Sequence, residues 1–271
     1  MSDEVLLQSL DNHVLTLTFN RPEKLNAFNP KLMATFLAAV KDAAKNREAR
    51  VVVISGAGRG FCAGGDLGAA AKQKSVTPGD TSAEMDAPQE KKKPDITGNI
   101  EWLRTNMDAA RILYEMPKPT IAMIRGATVS VGMALAAACD FRVASETAVF
   151  TTGFAKAGLS GDYGVSYFLT QLLGNAKTRE LMFLGDKIKA DEALQIGLVS
   201  NLVADAELED ATAALAKRLA TASADDRIGA NVSRKPAGIS KVFEPIYKNV
   251  FINFEGATKR LPRLEENGRL L

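Results

Sequence analysis

Apolar residues recur along this chain with two periods, and the switches between them outline its elements. Val14-Leu15-Thr16-Leu17-Thr18-Phe19 alternates, as a strand with one buried face does. Asn20-Arg21-Pro22 breaks it. Asn29-Pro30 then supplies an N-cap and a proline at the first helical position, and Leu32, Met33, Phe36, Leu37 and Val40 follow at helical spacing to about Lys45. Val51-Val52-Val53-Ile54-Ser55 is uninterrupted, which predicts a strand covered on both faces. Residues 76–98 are polar, with Pro78, Pro88, Pro94 and a charge run, and read as a lid or a disordered insertion. A helix from about Asn99 to Glu115 stops before Pro117 and Pro119. Next come a buried strand at Thr120–Ile124, a turn at Gly126, a small-residue helix to about Ala138, a strand at Phe141–Ala144 and a short one at Ala148–Phe150. Past Ser166 the pattern is mainly helical, with short segments near 166–173, 176–184 and 190–196 and a strand at Leu198–Val203. The sequence thus predicts an α/β core over 1–205 and a helical appendage over 206–271. Val242, Phe243, Ile246, Tyr247, Val250 and Phe251 in the appendage suit a subunit interface or core packing equally.

The candidate chemistry starts in the loop after the first buried strand, Gly56-Ala57-Gly58-Arg59-Gly60-Phe61-Cys62-Ala63-Gly64-Gly65-Asp66-Leu67. So many glycines free the backbone to take unusual angles and to be approached closely. Such a loop can aim main-chain N–H groups at an anion or a developing oxyanion. Gly58-x-Gly60-x-x-Ala63 formally matches a dinucleotide fingerprint, but Glu84 and Asp86, the acidic candidates downstream, end no strand. No Gly-Lys-Ser/Thr follows, which excludes a P-loop. A second strand–turn–helix start lies at Ile124-Arg125-Gly126-Ala127-Thr128-Val129-Ser130-Val131-Gly132-Met133-Ala134. Two such elements can place two N–H groups around one carbonyl oxygen.

Composition narrows the chemistry. The chain has 271 residues, is 46% hydrophobic and carries a net charge of +2. Its only basic run, Lys91-Lys92-Lys93, is flanked by Asp86, Glu90 and Asp95, so nucleic acid is not an expected partner. No signal peptide or bilayer-length apolar run is found, and the two cysteines, Cys62 and Cys139, lack metal-ligand spacing; a cytoplasmic protein without membrane or metal is expected. The single histidine, His13, falls where a hairpin turn belongs, which leaves Ser-His-Asp and Cys-His chemistry without a base.

Taken in order, several segments resemble the crotonase (enoyl-CoA hydratase/isomerase) family. They are Asn20-Arg21-Pro22-Glu23-Lys24-Leu25-Asn26-Ala27, the loop Gly56–Leu67, Pro119-Thr120-Ile121-Ala122 with Gly126, Cys139-Asp140-Phe141-Arg142-Val143-Ala144, and Gly185-Asp186 through Ala193, Gly197, Leu198 and Val199. The resemblance implies a spiral of ββα units with a C-terminal helical oligomerisation region, a homotrimer or dimer of trimers, and acyl-CoA thioester substrates. Coenzyme A is then part of the substrate, with no separate cofactor. It places the oxyanion-hole N–H groups at Ala63 and Val131. CoA is expected along Lys24, Leu25, Ala27, Ala63, Gly64, Asp66 and Leu67, with Lys24 or Arg21 near its phosphates.

The chain also departs from that pattern. The two glutamates of typical hydratases in the family fall on Ala134 and Phe154, and neither residue transfers protons. Asp162, in Gly158-Leu159-Ser160-Gly161-Asp162-Tyr163-Gly164, matches a position where isomerase-type members carry a carboxylate. Apolar neighbours would raise its pKa towards that of a general base; the competing role is a cap on the helix near Ser166. One carboxylate suffices to shift a double bond, whereas hydration divides its work between two. Enoyl-CoA isomerisation (or hydration with Asp162 alone) is therefore expected, with CoA thioester hydrolysis or non-catalytic acyl-CoA binding as the alternatives.

Overall fold

The computed structural model describes residues 4–66 and 96–222. Leu67, most of the polar connection at 76–98 and the appendage beyond Ala222 lie outside the described residues, as do the apolar positions from Val242 to Phe251. The strands are β1 (Leu6–Asp11), β2 (Val14–Phe19), β3 (Val51–Gly56), β4 (Thr120–Ile124), β5 (Ala127–Val129), β6 (Phe141–Ser145), β7 (Val149–Thr151), β8 (Ile188–Lys189) and β9 (Asn201–Val203). The helices are α1 (Pro30–Lys45), α2 (Ile96–Glu115), α3 (Val131–Ala138), α4 (Val165–Leu184), α5 (Ala190–Gln195) and α6 (Leu208–Ala222).

One sheet runs in the order β1-β2-β3-β4-β6-β9, and a smaller one is β5-β7-β8. The β1–β2 hairpin is antiparallel and turns at Asn12-His13, both with positive φ; from β2 onward the large sheet is parallel. The patterns explain the layers. In β2 Leu15, Leu17 and Phe19 are buried, with half-buried Val14, Thr16 and Thr18 between them. In β3 Val52 and Ile54 join the main core, while Val51 and Val53 join a second cluster under Leu208, Ala216 and Ala220 of α6. A strand covered on both faces has no polar side to alternate with.

Local chemistry fixes the ends of α1. The Asn29 side chain accepts from Leu32 N at 2.8 Å with Pro30 in the first turn, and Lys118 Nζ donates to the carbonyls of Ala43 (2.6 Å) and Asn46 near the other end. Three expectations shift. Between Gly126 and α3 the β-branched Thr128 and Val129 form β5, which pairs with β7. The helical segments near 166–173 and 176–184 are one element, α4, broken at Gly174 (φ 73). Only Asn201–Val203 of the 198–203 stretch is a strand, paired with β6; the Leu198 carbonyl accepts from Arg142 Nε at 2.7 Å.

The buried Asn26 ties the segment after β2 to the glycine loop. Its Oδ1 accepts from Arg21 N at 2.8 Å, and its Nδ2 donates to Ala57 O at 2.9 Å and Gly60 O at 2.7 Å. The Asn26→Ala variant is expected to lose at least ~2 kcal/mol, since each buried polar group left unpaired costs roughly 1–3 kcal/mol. Urea unfolding monitored by circular dichroism measures it.

Candidate active site

The glycine loop runs on from β3 and crosses the second strand–turn–helix element. Cys62 N–H donates to Ala127 O, and Val129 N–H to Cys62 O, both at 2.9 Å. Gly132 lies on this crossing: a Cβ there would stand 2.6 Å from Cys62 O and 2.8 Å from Cys62 Cβ. Behind the loop Phe61 packs edge-on to Phe19 (5.5 Å between centroids), which packs likewise on Phe28 and Phe36.

The main-chain donors divide differently from expectation. Ala63 N–H, expected to face a ligand, donates to Leu25 O at 2.9 Å and is spent inside the fold. Phe28 N–H donates to Gly64 O at 2.8 Å, and Asp66 N–H to Phe28 O at 2.9 Å. Gly65 N–H has no partner among the described residues, and a Cβ built on Gly65 meets nothing within 4 Å. The first free donor is therefore Gly65. Gly64, with φ +98, makes the turn that separates the two directions, and a Cβ on it would stand 3.2 Å from Ser130 Cβ.

Val131 opens α3, and its N–H has no partner among the described residues. Gly132 N–H faces the Cys62 thiol. Since Gly64 packs on Ser130, the free N–H groups of Gly65 and Val131 belong to adjoining residues on two touching segments. Val131 is the second residue expected to offer an N–H, and Ser130 before it carries φ +53, ψ −114, a backbone rare outside glycine.

Of the residues expected around CoA, Leu67 lies outside the described residues and Leu25 meets the glycine loop at Ala63. Lys24 is exposed; Leu25 and Ala27 are half-buried, and their carbonyls accept from Ala63 N and Arg21 Nη1. Arg21 also pairs with Asp66 at 2.8 Å, so both charges are engaged within the protein. Of the two basic candidates for phosphate, Lys24 is thus the one on the surface. Cys62 is fully buried, and burial pushes its thiol up to about 12, which makes it a packing residue.

Ala134 and Phe154 are both buried, at the positions where glutamates were looked for. Asp162 lies in the loop before α4. The helix begins at Val165 with Gly164 as its N-cap and no side-chain cap, so Asp162 does not serve in that role. The residue is half-buried, with Oδ1 sealed from solvent and without a hydrogen-bond partner. The preceding Gly161 is packed among apolar side chains: a Cβ on it would lie 2.8 Å from Met182 Cε, 3.2 Å from Val165 Cγ1 and 3.7 Å from Phe154 Cδ2. Burial raises the Asp162 carboxyl to about 7, offset only by its own backbone N–H. No cluster of three or more metal-ligating side chains occurs among the described residues, and no helix among them is long and apolar enough to cross a membrane.

A sequence profile described as enoyl-CoA hydratase/isomerase matches residues 9–228. The chain belongs to the enoyl-CoA hydratase/isomerase family. It is 33% identical over 218 residues to the 1,2-epoxyphenylacetyl-CoA isomerase of Escherichia coli (strain K12), covering 80% of this chain and 77% of that one. It is 34% identical over 224 residues to the probable enoyl-CoA hydratase echA12 of Mycobacterium leprae (strain TN), covering 82% and 71%. Among solved structures, a putative enoyl-CoA hydratase from Streptomyces coelicolor A3(2) superposes with a TM-score of 0.73 at 29% identity, covering 99% of this chain and 96% of that one. The architecture is thus the crotonase fold, and the chain is an enzyme of this family.

A buried carboxyl raised to about 7 has a stability signature. The unfolded group titrates near ~4, so ionising it costs more in the folded state, and stability falls as pH rises from about 4 through 7. Asp162→Asn is expected to unfold at a higher temperature than wild type at pH 8, with the gap narrowing towards pH 4. Thermal melts across that range check the sign.

Proposed function

We propose that this enzyme moves the double bond of an enoyl-CoA thioester, with Asp162 as its single acid/base and the N–H groups of Gly65 and Val131 as the oxyanion hole. The observation that carries the reading is the pairing of one raised, half-buried carboxyl with apolar residues, Ala134 and Phe154, at both usual glutamate positions. The Escherichia coli relative's name, an isomerase, supports the same class.

The ionised Asp162 removes a proton from a carbon activated by the thioester, and the electron pair moves through the conjugated system onto the thioester oxygen. Gly65 and Val131 N–H groups stabilise that enolate; removing one donor of this kind typically costs ~2.7–4 kcal/mol. The electrons then return, and the same carboxyl delivers its proton two carbons away. Atoms and charge balance without water, metal or redox partner. CoA enters as part of the substrate, with Lys24 the surface cation beside the backbone of Leu25 and Ala27. Homotrimeric assembly belongs to this reading and is checked by light scattering.

Hydration and hydrolysis both add water, so product analysis separates them from isomerisation. Supplied with 2-enoyl-, 3-enoyl- and saturated acyl-CoA, the enzyme should interconvert the first two and leave the third intact. Free CoA from the saturated thioester would replace this reading with hydrolysis; 3-hydroxyacyl-CoA as main product would replace it with hydration. Because the base must be ionised, kcat/KM should fall as pH drops through about 7. Asp162→Asn should lower kcat by roughly 10²–10⁴-fold while acyl-CoA still binds. Full turnover by that variant would exclude Asp162 as the acid/base.

A further inference from the structure

The residue after Asp162 is buried and titratable, yet the reaction just described does not use it. Tyr163 is 1% exposed, and its hydroxyl has no hydrogen-bond partner. Its backbone has φ +49, a left-handed conformation that a bulky side chain adopts only at a cost. A phenylalanine would fill the same space without burying an unpaired hydroxyl. The phenol is thus held, against two unfavourable terms, beside a carboxyl that also lacks a partner at Oδ1.

The two unpaired atoms are complementary. A phenol hydroxyl donates and a carboxylate oxygen accepts. Both are sealed from bulk water on consecutive residues, and the preceding Gly161 is packed against Val165, Met182 and Phe154. A third unpaired buried atom, Thr178 Oγ1, sits on α4, where the helix's own carbonyls are at hand.

We infer that Tyr163 is a positioning residue for Asp162: its hydroxyl supplies, through one bound water, the hydrogen bond that holds the carboxylate in its ionised, proton-accepting orientation. This inference rests on Asp162 acting as the acid/base. The electrostatic surroundings agree. Burial raises the phenol well above its usual value, with Asp162 and then Cys62 adding to the rise, so Tyr163 stays a protonated donor throughout the working range. Cys62, raised to about 12, stays neutral there. No lysine, arginine or histidine among the described residues acts on the Asp162 carboxyl, whose one donor there is its own backbone N–H.

The test is Tyr163→Phe, assayed on a 3-enoyl-CoA from pH 5 to 9 beside wild type and Asp162→Asn. Loss of a hydrogen bond to the charged form should move the acid limb of kcat upward by about one pH unit. The corresponding loss of kcat is about 10-fold at pH 6, with KM within about twofold, and shrinks above pH 8. An acid limb that stays put overturns the inference, whether or not kcat falls uniformly. If Tyr163→Phe does not fold, wild type grown with 3-fluorotyrosine serves, because the fluorinated phenol is the stronger donor. Its acid limb should move down; an unmoved limb overturns the inference equally. The controls separate the two readings. Full turnover by Asp162→Asn removes both, whereas an inactive Asp162→Asn beside an unshifted Tyr163→Phe removes only the role of Tyr163.

Discussion

The site depends on how closely two backbone segments approach at Cys62 and Gly132. A single methyl group on Gly132 would stand 2.6 Å from the Cys62 carbonyl, well inside contact, so the crossing exists only with glycine there. The contact is held by the paired bonds of Cys62 with Ala127 and Val129, by the Phe19, Phe28, Phe36 and Phe61 cluster behind it, and by the three hydrogen bonds of Asn26. In the proposed oxyanion hole, spreading the two segments would separate the Gly65 and Val131 N–H groups that are to share one oxygen. Electrostatic preorganisation of this sort needs rigid donors, because a loop that must reorganise around charge loses the advantage over water.

Much of this was legible because the sequence carries strong local signals. The unbroken Val51–Ser55 run, the Asn29-Pro30 helix start and the small-residue helix each have one physical interpretation, and each is present. Ala63 N–H was expected to face a ligand, and it is spent inside the fold for an equally physical reason. Residue identity says nothing about which way an N–H points, and at Gly64 the backbone turns through φ +98. Ala63 therefore serves Leu25, and Gly65 faces outward. A clue lay in the Gly64-Gly65 pair: Gly64 is packed against Ser130, while Gly65 has open space where its side chain would be. A glycine without protein around it leaves room for something else to approach.

The charges near the loop show a similar limit of sequence. Arg21 and Asp66 are far apart in the chain and each suggests a ligand contact alone, yet they pair at 2.8 Å. Their partnership joins the segment after β2 to the end of the glycine loop, so their charge serves the scaffold. Arg142 does the same for α3: it is buried, and its guanidinium donates to the carbonyls of Leu198 and Cys139 at 2.7 and 2.6 Å. A cation beyond the C-terminal end of α3 complements the dipole of the helix whose first N–H, at Val131, is free.

The desolvation of Asp162 connects stability with reaction choice. Burial withholds water from the carboxyl, next to a Gly161 packed on Phe154, Val165 and Met182, and that desolvation lifts it to about 7. In the proposed isomerisation the same withholding disfavours a nucleophilic water beside the enolate, so desolvation would both strengthen the base and suppress addition. A second carboxylate at the Phe154 position would work against this arrangement. It would admit water, and its charge would act on Asp162 across a low-dielectric gap, coupling the two titrations. A lone buried acid destabilises the folded protein above neutral pH, and an acid that must both take and return one proton requires that environment. Under the proposed isomerisation, apolar residues at both glutamate positions are therefore a coherent change in chemistry, in which loss of the second acid and desolvation of the first go together.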